Sequence, residues 1–197
     1  MQVSKIFFLL IFLILIFSEN CFAYTSEKDT SYTTYQTFQK IRKNHPEIRM
    51  VEELKSNEIN QFENLTYKTI TDGADLRALH LDIYRPKQFG KYPAIVLIHG
   101  GGWRSGNKSM ERPMAQRIAM QGYVAIPVEY RLSLEAKYPA AIHDIKAAIR
   151  FVKDNAERYG IDTSKIAIEG ESAGGQLATL VAMTNNVAKF DGEKSGS

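Results

Sequence analysis

Ala94-Ile95-Val96-Leu97-Ile98-His99-Gly100-Gly101-Gly102-Trp103 is an apolar run that empties into three glycines. An unbroken apolar stretch such as Pro93–His99 is what a strand covered on both faces requires, and strands of that kind belong to parallel sheets. The glycines after it carry no side chains, so the backbone there can approach a bound molecule closely and turn its amides inward. The pattern recurs downstream. Lys165–Glu169 reads as a strand, Gly170-Glu171-Ser172-Ala173-Gly174-Gly175 as a sharp turn, and Ala173 to about Asn185 as the helix leaving it.

Ser172 stands at the apex of a G-x-S-x-G elbow, where a strand turns into a helix and the serine takes strained backbone dihedrals. A side chain at Gly170 or Gly174 would collide with the neighbouring strand or helix. The helix beginning at Ala173 aims its free N–H groups and the positive end of its dipole at the serine oxygen. Attack of a hydroxyl on a carbonyl creates an oxyanion, and each preformed amide donor to it is worth about 3–4 kcal/mol. The elbow alone would arise by chance in roughly one chain in fifteen of this length. The glycine run is far rarer, and both sit directly behind strands. Together they specify a nucleophile and a place to hold negative charge.

Between and before these stretches the pattern alternates. Leu65–Ile70 and Leu76–Tyr84 read as strands around the turn Asp72-Gly73, a hairpin signal. Met110 to Gln121 is a helix closed by Gly122, and Tyr123–Tyr130 is a strand. Pro139 opens a further helix at its favoured first position. Ile142, Ile145, Ile149 and Val152 form its apolar stripe, and Gly160 ends it. Buried strands alternating with amphipathic helices imply right-handed crossovers and a parallel sheet with helices on both faces. Ligands bind such sheets at the carboxyl ends of the strands, where both glycine-rich loops fall.

The chain opens with a targeting segment: Lys5, the apolar run Ile6–Phe17, then Ser18-Glu19-Asn20 and Cys21-Phe22-Ala23. The run is short for a bilayer span and has the layout of a secretory signal cleaved after Ala23, which sends the protein to the periplasm or outside the cell. The rival reading keeps Cys21 as an acylated first residue. Residues 24–60 form a polar segment in which Tyr32, Tyr35, Phe38 and Ile41 recur at helical spacing before His45-Pro46. That helix either packs on the main domain, residues 61–197, or helps to roof a substrate cleft. Lys+Arg of 25 against Asp+Glu of 22 leaves +3, too small and dispersed a charge for a nucleic-acid partner. No metal or cofactor is called for.

Residues 92–183 resemble the α/β-hydrolase superfamily. They are most similar to hormone-sensitive-lipase-like and acetyl- or feruloyl-esterase-like carboxylesterases. The matching segments are HGGGW at His99–Trp103, VEYRLSLEAKYPAAIHD at Val128–Asp144 and YGIDTSKIAIEGESAGG at Tyr159–Gly175. The resemblance implies an α/β-hydrolase fold, a mostly parallel sheet with helices on both faces, truncated after the elbow helix. It implies Ser172 as nucleophile and Gly101, Gly102 and Ala173 as oxyanion amides. His99, Gly100, Trp103, Gly170, Glu171 and Gly174 complete the motifs. It further implies carboxylic esters as substrates, small acyl esters or those on plant polysaccharides, processed through an acyl-enzyme.

The chain departs from that pattern after Ser172, where the family places an Asp or Glu and then a His. Only Asp191 and Glu193 are acidic there, and all four histidines precede the serine. His45 reads as a surface residue, His80 as the partner of Asp82 on one strand face, His99 as a shaper of the glycine loop, and His143 as a helix residue beside Asp144. A serine without a base is a weak nucleophile. The expectation is therefore an N-terminal portion of a longer esterase, weak or inactive by itself, with Lys165–Glu169 left as an apolar edge strand. Two alternatives stand beside it: a non-catalytic module that binds esters or carbohydrate, and an amide or formamide hydrolase of the same fold.

Overall fold

The computed structural model describes residues 33–192 other than 55, 73 and 74. The predicted signal segment, Cys21, Tyr32, the turn residue Gly73 and Glu193 lie outside the described residues. The described chain begins with a helix α1 (Thr34–Arg42), capped by the Thr33 hydroxyl, which accepts from Gln36 N at 3.1 Å. Two long strands follow, β1 (Ile59–Asp72) and β2 (Asp75–Pro86), then β3 (Tyr92–Ile98). A 3-10 turn at Lys108–Glu111 leads into α2 (Arg112–Met120) and β4 (Val124–Val128). Then come α3 (Ala140–Asp154), the short α4 (Ala156–Tyr159), β5 (Ile161–Gly170), α5 (Ala173–Met183) and the short α6 (Ala188–Asp191). No described helix is long and apolar enough to cross a membrane.

The strands form one sheet in the order β1-β2-β4-β3-β5. β1 and β2 are an antiparallel hairpin and β2 pairs antiparallel with β4, while β3 lies parallel to both β4 and β5. Alternation in strands sends successive side chains to opposite faces, and the two faces bury different partners. Leu81, Ile83, Val96, Ile98, Ile126 and Val128 pack with Ile142, Ile145 and Val152 of α3 and Leu177 and Val181 of α5. On the other face Tyr84, Leu97 and Ala125 meet Ala115 and Ala119 of α2. Small alanines let α2 lie close to the sheet. Helices thus cover both faces, as the periodicity predicted.

Details of the predicted elements change. β1, β2 and β5 are longer than their apolar runs, because sheet pairing carries polar residues along. Pro139 is the residue before α3 rather than its first. α3 stops at Asp154, and a separate turn of helix intervenes before Gly160, whose φ of +68° forms the left-handed cap. Among the described residues β5 is an edge strand, as expected, but Ile166 and Ile168 are half-buried while Lys165, Ala167 and Glu169 are exposed. Two of those three exposed side chains are charged.

One register relation positions everything that follows. Leu81 pairs with Val128, Val128 with Ile98, and Ile98 with Gly170. A single row therefore crosses four strands where β3, β4 and β5 end.

Candidate active site

Because Ile98 and Gly170 are paired ends of adjacent parallel strands, the loops after them emerge side by side. The elbow comes first. Ser172 is exposed and has φ +51° and ψ −118°, a conformation that costs a non-glycine residue of order 1–3 kcal/mol and persists only where its surroundings impose it. Gly174 N–H donates to Glu171 O at 2.8 Å and Gln176 N–H to Ser172 O at 3.1 Å, so the turn closes directly into α5. The flanking glycines are required by space. A Cβ on Gly170 would stand 2.5 Å from the carbonyl of Gly174, and one on Gly174 would overlap Ile98 O and lie 2.8 Å from His99 O.

The glycine loop is bent back on itself. Gly101, Gly102 and Trp103 have φ of +114°, +61° and +62° in succession. The Gly101 carbonyl accepts from Arg104 N at 3.2 Å, Ser105 N at 3.1 Å and the Ser105 hydroxyl at 3.0 Å. Among the described residues, the N–H groups of Gly101, Gly102 and Ala173 donate to no backbone carbonyl. Gly100 faces the elbow, since a Cβ there would meet Glu171 O at 3.1 Å and Glu171 Oε1 at 3.3 Å.

His99 is buried and stacks on Tyr130, with ring centroids 4.5 Å apart. Its Nδ1–H donates to Gly100 O at 2.8 Å, and the Tyr130 hydroxyl donates to His99 O at 2.8 Å. Trp103 is 42% exposed. With Tyr130, Ile142, Gln176, Leu177 and Leu180 it lines a cavity of about 210 Å³ between the glycine loop, α3 and α5. A second cavity, about 470 Å³, lies where Tyr35, Met50 and Val51 of the N-terminal segment face Ser105, Gly106 and Leu132. The N-terminal segment also docks on α2: Leu54 N–H donates to Gln116 Oε1 at 2.6 Å.

Several parts of this arrangement had no motif to announce them. Ser105 and Gly106 tie the loop's return limb down; a Cβ on Gly106 would stand 2.6 Å from both Gly100 O and His99 Nδ1. Glu111 is buried, and that burial, reinforced by the charges of Glu171 and Glu169, pushes its carboxyl up to about 7. Glu169 is also raised, by burial and then by Glu171. The carboxyls of Glu111, Glu169 and Glu171 thus lie close enough to act on one another.

The remaining candidates for acid and base are engaged elsewhere. His45 is exposed and sits 3.3 Å from Glu47. His80 pairs with Glu129 Oε2 at 3.3 Å rather than with Asp82, because the chain after β4 brings Glu129 to it, whereas Asp82 is taken by Lys108. His143 Nε2–H donates to Lys189 O at 3.0 Å. Asp191 accepts from the buried Lys146 at 2.9 Å. Among the described residues no side chain hydrogen-bonds the Ser172 hydroxyl.

Comparison with known proteins agrees with this architecture. Residues 81–196 match the BD-FAE family. The probable carboxylic ester hydrolase LipM of Mycobacterium tuberculosis is 39% identical over 118 residues, covering 58% of this chain and 27% of LipM. Among solved structures, a tributyrin-phosphonate-inhibited esterase B from Lactobacillus rhamnosis superposes with a TM-score of 0.62 at 27% identity, covering 79% of this chain and 48% of that one. A truncated carbohydrate esterase from gut microbiota gives 0.59 at 34% identity, covering 68% and 47%. The aligned part of this chain thus spans about a quarter of its curated relative and about half of its structural neighbours. With its family match running over residues 81–196 and its sheet superposing on those of esterases, the chain belongs to the BD-FAE family and has an α/β-hydrolase fold.

Proposed function

We propose that the protein is a serine carboxylic-ester hydrolase that works through an acyl-enzyme on Ser172. The observation that supports this reading is an exposed, strained serine on a loop that leaves the sheet beside the glycine loop, with the Gly101, Gly102 and Ala173 amides lacking a backbone acceptor among the described residues. Serine Oγ attacks the ester carbonyl, its proton passes to a base, and the carbonyl oxygen takes the developing negative charge. Gly101, Gly102 and Ala173 N–H groups receive that charge. Collapse of the tetrahedral species expels the alcohol, and water later releases the acid. The base is not among the described residues. Without a base, an oxyanion site supplies only a residual rate.

The substrate class is esters of small acyl groups, including acyl esters on polysaccharide. The cavity of about 210 Å³ under Trp103 suits a short acyl chain, and the likeness to a carbohydrate esterase supports the second source. The apolar leader at Ile6–Phe17 supports action outside the cytoplasm. Hydrolysis of p-nitrophenyl acetate by the chain, beside Ser172→Ala, tests the proposal. Slow turnover lost in the variant is expected. Turnover that survives Ser172→Ala, or a preference for amides over esters, would defeat it.

A further inference from the structure

Asp82 is buried within the described structure, and its Oδ2 has no hydrogen-bond partner. All of its pairing falls on Oδ1, which accepts from Lys108 Nζ at 2.6 Å and from Asn64 N–H at 2.7 Å. Lys108 is nearly buried too, and Nζ also donates to Asn64 Oδ1 at 2.9 Å. A buried ion pair with an oxygen left over is a poor source of stability, because desolvating both charges offsets their attraction. Such a pair is better explained by what it holds in place.

What it holds is the end of the glycine loop. Asp82 is the neighbour of Leu81, whose row passes through Val128 to Ile98, the residue before the loop. Lys108 is the first residue after the loop's return limb and starts the 3-10 turn, which Asn107 caps by accepting from Ser109 N at 2.9 Å. Two residues earlier Gly106 is wedged against Gly100 O and His99 Nδ1. Gly106 thus connects residue 108 to the segment that carries the Gly101 and Gly102 amides. Asn64 lies at a β1 bulge with φ +56°, which turns its N–H and its side chain toward the pair.

We propose that Asp82 and Lys108 are positioning residues for the glycine loop, clamping its return limb to β2 so that the Gly101 and Gly102 amides stay aimed at the substrate oxygen. This rests on the esterase reading above for its purpose, though not for its geometry. The test uses the whole chain carrying Asp82→Leu with Lys108→Met, which removes both charges together, beside Lys108→Arg as the conservative variant. Amide hydrogen exchange over residues 99–107 is compared with that over β4. Labelling of Ser172 by a fluorophosphonate is resolved into a binding constant and a maximal rate.

The double variant is expected to keep its thermal transition and β4 protection, exchange the loop amides at least tenfold faster, and lose at least tenfold in maximal labelling rate with binding little changed. Lys108→Arg should restore most of both. Native exchange over 99–107 in a folded double variant would overturn the proposal and leave the pair a mere stability element. If the double variant does not fold, Asn64→Gly decides. It removes one acceptor from Lys108 at a backbone position glycine tolerates, and faster loop exchange supports the clamp while unchanged exchange refutes it. Absence of labelling in the parent chain would count against Ser172 as nucleophile, with the exchange result still deciding the clamp.

Discussion

Gly174 of the elbow helix rests on the carbonyl of Ile98, so closely that no Cβ fits between them. The nucleophile's helix and the strand that feeds the glycine loop are therefore held together by backbone touching backbone, without an intervening side chain. Gly174→Ala must lift α5 off the sheet. We expect it to cost on the order of 3 kcal/mol or more, in the range of severe core disruptions. Gly102→Ala has open space around its Cβ and only a left-handed φ to bear, about 1–2 kcal/mol. Urea unfolding of the two variants should rank them in that order, and the reverse order would contradict the packing described.

Ser172 bears backbone strain that a glycine would not. Ser172→Gly should raise stability by about 1 kcal/mol while abolishing fluorophosphonate labelling. A variant that loses labelling and also loses stability would mean that the serine side chain, and not its backbone, contributes to the fold.

The raised carboxyl of Glu111 makes stability depend on pH with a definite sign. Its unfolded value is near 4.5 and its folded value about 7, so the folded state binds the extra proton. The contribution is fully present below pH 4.5 and is lost as pH rises through 7. Glu111→Gln should remove that part of the slope and leave the protein more stable than the parent at pH 8, by roughly 2 kcal/mol. Thermal melts at pH 5 and pH 8 provide the check; a glutamine variant with an undiminished slope would assign it to other groups.

Asp144 is buried on α3 and accepts from Arg131 Nε at 2.7 Å, Arg131 Nη2 at 2.8 Å and Lys68 at 2.8 Å. It ties the loop after β4 and the β1–β2 hairpin to one helix. Asp144→Ala leaves two cations without their partner and should destabilise by about 3–5 kcal/mol, seen as a lower midpoint in urea. A change below 1 kcal/mol would show that solvent replaces the carboxylate.

The parts of this molecule that were legible in its sequence are those where backbone geometry demands a residue type. Gly170 and Gly174 had to be glycine for contact, and Ser172 between them had to be strained; the G-x-S-x-G spacing records both facts. The apolar runs at Pro93–His99 and in α3 likewise record burial directly. Side-chain partners over long separations left no such record. Asp82 and Lys108 are 26 positions apart and Lys68 and Asp144 are 76, and nothing local distinguishes them from surface charges. Alternation puts His80 and Asp82 on one strand face, but the pairing of β2 with β4 brings Glu129 to His80 instead. Glu111 is silent in the sequence for the same reason: its burial and its proximity to Glu171 and Glu169 are made only by the fold.

The pairing of β3 with β5 is irregular at its start, where Tyr92 to Ala94 spans Ile161 to Ile166, and uninterrupted from Ala94–Ile166 to Ile98–Gly170. An extra residue among positions 162–165 can be taken up by slack already there. One added between Ile166 and Gly170 would shift the serine by about 3.3 Å along the strand and turn it to the opposite side. Descendants of this gene are free to vary in length on one side of Ile166 and fixed on the other, like a ruler that is elastic up to one mark and rigid beyond it.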